Sequence, residues 1–117
     1  MKKVLISFGN EKYYKSLDLL EKTSKEIGKV DQFTRYTDIW LKSTDFYNKN
    51  RYILSQSRGH GFWAWKTLII LDAFSKLEDG DIVCYSDAGI NVIADLNPLY
   101  DLASTLPNNG IAFLSFF

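Results

Sequence analysis

The residues best suited to chemistry in this sequence stand in three places. Ser86-Asp87-Ala88-Gly89 follows directly on the apolar run Ile82-Val83-Cys84-Tyr85, and Phe8-Gly9-Asn10 closes a second such run, Lys3-Val4-Leu5-Ile6-Ser7. The third place is Gln56-Ser57-Arg58-Gly59-His60-Gly61, with Lys66 a few residues on. A carboxylate immediately after a buried strand is well positioned to take a metal ion or a ribose hydroxyl, and Gly9 and Gly89 leave the backbone open to close approach. A turn cap is the simpler use of an aspartate at such a position. Arg58 offers a planar fork for phosphate or a base carbonyl, and Lys66 a compact charge. Lys66 falls in the early turns of a helix otherwise built for burial, where an unpaired ammonium is costly. A ligand contact, an ion pair with Asp87 or Asp72, or a snorkelling side chain would each satisfy it. Trp63 and Trp65, two apart, face different sides of that helix, so one suits the core and the other, Trp65, a wall beside a ligand.

The elements that position these residues follow from periodicity. Lys3 to Ser7 reads as a buried strand closed by a turn. Tyr13, Leu17, Leu20, Ser24 and Ile27 share one helical face, Asp18 with Lys22 and Glu21 with Lys25 form i,i+4 pairs on the other, and Gly28 stops the helix. Val30 to Tyr36 fits a second strand, which completes a right-handed βαβ unit. Thr44 is placed to cap a helix from Asp45 to about Leu54. Phe62 to Leu77 is apolar almost all round and is expected to be largely buried. Ile82 to Tyr85 has the pattern of a central parallel strand buried on both faces. Pro98 to Leu106 makes a short helix with proline in its first turn, and Ile111 to Phe117 a last apolar strand. Alternating strands and helices predict one α/β domain, residues 1–117, with an open, mostly parallel, Rossmann-like sheet covered on both faces.

Composition narrows the function. Fourteen Lys and Arg balance 14 Asp and Glu, which argues against a nucleic-acid binder that neutralises phosphates with excess basic charge. One cysteine, Cys84, and one histidine, His60, allow neither an internal disulfide nor a structural zinc site. The apolar run after Met1 is too short for a secretory segment, and no stretch approaches a membrane span. A cytoplasmic protein is expected. Three Trp, seven Tyr and eight Phe enlarge a core, and they also build platforms for sugars and bases.

Three segments carry a resemblance: Phe46-Tyr47-Asn48-Lys49-Asn50-Arg51, Arg58-Gly59-His60-Gly61-Phe62-Trp63-Ala64-Trp65-Lys66, and Gly80-Asp81-Ile82-Val83-Cys84-Tyr85-Ser86-Asp87-Ala88-Gly89. Together they resemble a group of glycosyltransferases of GT-A fold, in which an Arg-Gly-x-Gly-aromatic-Trp-x-Trp-Lys run precedes a strand ending in Asp-Ala-Gly. The resemblance implies a nucleotide-sugar site, for a UDP-sugar foremost. Ser7, Phe8, Gly9 and Tyr13 would then hold the base. Ser86, Asp87, Ala88 and Gly89 would hold the ribose and a Mn²⁺ or Mg²⁺ ion on the diphosphate, with Arg58, Trp65 and Lys66 alongside. Many such enzymes carry Asp-x-Asp where this chain has Asp87-Ala88-Gly89, so the second carboxylate is missing; Asp95 is the next acid along the chain, and nothing in its spacing requires it to approach the site. A cation held by Asp87 alone needs the diphosphate for its remaining ligands.

The resemblance covers the donor-binding half of such a domain without the acceptor-binding half that usually follows. Two readings therefore stand: a glycosyltransferase that transfers the sugar to an acceptor, and a non-catalytic nucleotide-sugar-binding module completed by a partner chain. A carbohydrate-binding module built on the aromatics is a third, which the alternating βα pattern disfavours. An aromatic surface that a second half would normally cover predicts a homodimer.

Overall fold

The computed structural model describes residues 1–50 and 65–105. The expected strand Ile111 to Phe117, and the whole of Arg58-Gly59-His60-Gly61, lie outside the described residues. Three strands, β1 (Lys3–Gly9), β2 (Gln32–Thr37) and β3 (Ile82–Tyr85), form an all-parallel sheet in the order β2-β1-β3. Five α-helices accompany them among the described residues, α1 (Tyr14–Glu26), α2 (Asp38–Lys42), α3 (Asp45–Lys49), α4 (Trp65–Ser75) and α5 (Asn97–Ser104), with a 3-10 turn, Glu11–Tyr13, leading into α1.

Strand β1 is the centre of the sheet because both of its faces are apolar. Successive side chains of a strand point to opposite faces. Val4, Ile6 and Phe8 therefore meet Leu41 of α2 and Trp65, Ile69 and Ala73 of α4 on one side. Leu5 meets Leu17 and Leu20 of α1, Tyr100 of α5, and Ala88 and Val92 on the other. The expectation of helices on both faces of a parallel sheet thus holds for the described strands. Strand β3 pairs with β1 alone among the described strands, and all four of its residues are half-buried; its expected place at the centre turns on the strand Ile111 to Phe117, which lies outside the described residues.

Helix α4 departs from expectation. Its sequence is apolar almost all round, yet only the stripe Trp65, Ile69 and Ala73 is buried, and Leu71 and Phe74 are exposed. A helix lying on a sheet can turn only one stripe toward it. Helix α1 buries Leu17, Leu20 and Ser24 as its periodicity predicts, while Tyr13 and Ile27, at the ends of the stripe, are exposed. The Glu21–Lys25 pair forms at 3.0 Å, but Asp18 turns instead to Arg35 of β2 at 2.6 Å. Thr37 caps α2, which the sequence did not signal, and Thr44 caps α3 as expected; α3 ends at Lys49.

The amino ends of the strands are closed by carboxylates. Asp31 accepts from the Lys3 N–H and Asp81 from the Lys2 N–H, each at 2.8 Å. The two backbone bonds received by Asp81, from Lys2 and Glu78, hold its carboxyl below the ordinary range. An open depression at this end, lined by Met1, Lys2, Asp31, Lys76, Glu78 and Asp81, is built around these latches. The predicted residues lie at the opposite end, outside the carboxyl ends of β1 and β3.

Candidate functional site

The chain leaves β1 to form β2 on one side and returns past β1 to form β3 on the other, so the strand order reverses between β1 and β3. In open parallel sheets, ligands bind outside the carboxyl ends of the strands at such a reversal. The two strand ends are bonded to each other there. Ser86 N–H donates to Ile6 C=O at 3.0 Å, and the Ser7 hydroxyl donates to Ser86 C=O at 2.6 Å. Ser7 is fully buried, so its hydroxyl fixes the start of the loop after β3 and presents no surface to a ligand.

That loop is held at both flanks of Asp87. Ser86 is tied to β1 as above. Ala88 is buried in the α1-side core, Val92 N–H donates to Thr23 Oγ1 at 3.1 Å, and Leu96 N–H donates to Gly28 C=O at 3.0 Å. Asp87 projects from this frame with its side chain 66% exposed. The Tyr85 hydroxyl donates to Asp87 Oδ1 at 2.8 Å, and Lys66 Nζ stands 3.8 Å from the same oxygen. Burial, together with the neighbouring Asp87 carboxylate, pushes the Tyr85 phenol well above its ordinary value, so Tyr85 remains a donor at any physiological pH.

Of the two acids the sequence offered to Lys66, the structure selects Asp87. Asp72 is taken by the Tyr36 hydroxyl at 2.7 Å and by Lys76 at 3.0 Å. The Lys66 side chain is 39% exposed, and its ammonium lies 5.2 Å from the centre of the Tyr85 ring and 5.8 Å from that of Trp65. Two aromatic faces therefore hold the ammonium in place, with cation–π attraction added to a solvent-screened ion pair worth at most about 1 kcal/mol. An incoming anion can take Lys66 from Asp87 at little cost.

The other predicted residues divide between frame and surface. Phe8 and Trp65 are each 5% exposed and stack on each other, centroids 4.1 Å apart and planes 21° apart. Trp65 is thus a core residue, and it meets the site at its edge, 6.2 Å from the Tyr85 ring and 5.8 Å from Lys66 Nζ. Gly9 is required by packing: a Cβ there would lie 2.9 Å from Tyr13 Cβ and 3.0 Å from Leu17 Cδ1. Gly89, by contrast, is exposed with open space where a Cβ would stand. Tyr13, 42% exposed at the head of α1, offers an aromatic surface beside the end of β1, with Lys12 over its ring. Arg58 lies outside the described residues. Tyr85 is the member of this cluster that sequence reasoning missed. Its position two before Asp87, the spacing that returns a side chain to the same face of an extended chain, was the available signal.

The site was expected to hold Mn²⁺ or Mg²⁺ through Asp87. Among the described residues no three His, Cys, Asp or Glu side chains gather to hold a metal ion. Asp95, the other acid considered, accepts the Asn97 N–H at 2.8 Å at the start of α5. A lone carboxylate already bonded to a phenol and faced by an ammonium is a poor fit to a resident divalent cation. No helix of the described residues is long and apolar enough to cross a membrane. No family model, curated protein or solved structure matches the chain.

Proposed function

We propose that the chain is the donor-binding domain of a glycosyltransferase of GT-A type, with a Rossmann-like sheet, that binds a UDP-sugar or a related nucleotide-sugar in the cytosol. The observation that carries this reading is the convergence of Asp87, Lys66 and Tyr85 outside the carboxyl ends of β1 and β3, where the strand order reverses. Asp87 accepts a ribose hydroxyl, and the exposed, open backbone at Gly89 lets the nucleotide approach closely. The Tyr13 ring supports the base. Lys66 meets the diphosphate and stabilises the negative charge that develops on it as the bond to the anomeric carbon breaks.

One observation favours a second reading, a module that binds the nucleotide-sugar and relies on a partner chain for transfer. Asp87 is engaged by both Tyr85 and Lys66, which suits it to holding a ligand rather than to removing a proton from an acceptor. Multiple-turnover assays of the purified chain with UDP-sugars separate the two. Steady release of free UDP supports the transferase, binding without release supports the module, and absence of binding rejects both.

A further inference from the structure

We infer that this site takes its diphosphate without a divalent cation, the Lys66 ammonium standing where such an ion would sit. The inference rests on the nucleotide-sugar reading and concerns how that site meets phosphate. Residues 51–64 and 106–117 contain no Asp, Glu or Cys. Every carboxylate side chain of this chain is therefore among the described residues, and no three His, Cys, Asp or Glu of those residues gather around Asp87. What faces Asp87 instead is a cation of the protein's own, with Lys66 Nζ 3.8 Å from Oδ1.

The ammonium has contacts besides that carboxylate. It lies over the Tyr85 and Trp65 rings; Trp65 is locked by its stack on Phe8, and Tyr85 by its strand and by its bond to Asp87. A divalent ion chelated by both Asp87 oxygens would have to displace the Tyr85 hydroxyl from Oδ1 or share that oxygen with it, and one on Oδ2 alone would have a single protein oxygen and a like charge nearby. An anionic oxygen arriving at Lys66 meets no such conflict. It exchanges a long, solvent-screened contact for a charge-assisted hydrogen bond. Asp87 is left to the ribose, and its own charge works against the diphosphate.

The test is calorimetric titration of chelator-treated protein with inorganic pyrophosphate and with UDP, each repeated with Mn²⁺, for the wild type, Lys66→Gln, Lys66→Arg and Asp87→Asn, with circular dichroism to check the fold. Wild-type affinities are expected to be no tighter with Mn²⁺ than with chelator. Lys66→Gln should weaken both ligands about tenfold or more, the loss expected for a hydrogen bond to a charged group, and Lys66→Arg should retain most of the affinity. Asp87→Asn should tighten pyrophosphate, which has no ribose, and weaken UDP. Binding that appears only with Mn²⁺ and is lost for both ligands in Asp87→Asn overturns the inference while leaving the nucleotide-sugar reading intact. No binding of either ligand under any condition overturns both.

Discussion

Replacing Trp65 with leucine separates a core tryptophan from a ligand wall. Trp65 is almost fully buried, with one ring face against Phe8 at 4.1 Å. Leucine leaves roughly 80 Å² of that burial unfilled, a loss of about 2 kcal/mol at about 25 cal/mol per Å². The missing stack adds about 1 kcal/mol. The expected destabilisation is about 3 kcal/mol, within the range for truncating a buried aromatic side chain. For a domain of 117 residues it corresponds to a fall in Tm of roughly 12 °C. Urea titration followed by far-ultraviolet circular dichroism measures the stability, and UDP titration at 10 °C, well below the transition, measures the site. The account expects a large drop in midpoint with UDP affinity within about twofold of wild type, because Lys66 keeps the Tyr85 ring beneath it. Unchanged stability together with much weaker binding would refute the placement of Trp65 in the core.

Gly9→Ala forces a Cβ against Tyr13 and Leu17 and should cost about 1–3 kcal/mol as overpacking, read as a lowered urea midpoint; Gly89→Ala, into open space, should leave stability unchanged. Tyr36, Tyr85 and Tyr100 all titrate above the ordinary value of 10.0. The folded state therefore retains protons that the unfolded chain releases, so the contribution of these phenols to stability is constant below about pH 10 and falls as pH rises further. Urea midpoints from pH 8 to 11 should show that fall, and Tyr85→Phe should make it shallower; a midpoint flat to pH 11 contradicts the burial of these phenols. The expected homodimer predicts a dimeric mass in light scattering at high concentration, and a monomer throughout rejects it.

Much of the scaffold was legible from the sequence because its signals are local. The run Val4 to Phe8 and the spacing of Leu17, Leu20 and Ser24 dictate a strand and an amphipathic helix whatever surrounds them, and Thr44 caps its helix by its own hydroxyl. What was not legible depends on neighbours. Whether Ile82 to Tyr85 lies at the centre or the outside of the sheet is decided by which strands flank it. Which stripe of α4 is buried is decided by the sheet beneath it, since its apolar residues run all round. At the site, Asp87 and Lys66 were visible as a carboxylate after a strand and a charge on an apolar helix. Their meeting was one of several pairings the sequence allowed, and the contact geometry selects it. The roles of Ser7 and Gly9 shift for the same reason: a hydroxyl bonded to Ser86 and a missing Cβ against α1 are facts of packing, and in sequence they resemble residues left open for a ligand.

Calorimetric titration of the purified chain with UDP, with GDP as a control, and of its Asp87→Ala variant with UDP, bears on the whole reading of the site. The account predicts micromolar binding of UDP that weakens about tenfold or more in the variant, as loss of a hydrogen bond to a charged group requires, while the variant's fold is unchanged. UDP and GDP both failing to bind the wild type, or UDP binding the variant as tightly as the wild type, would contradict it.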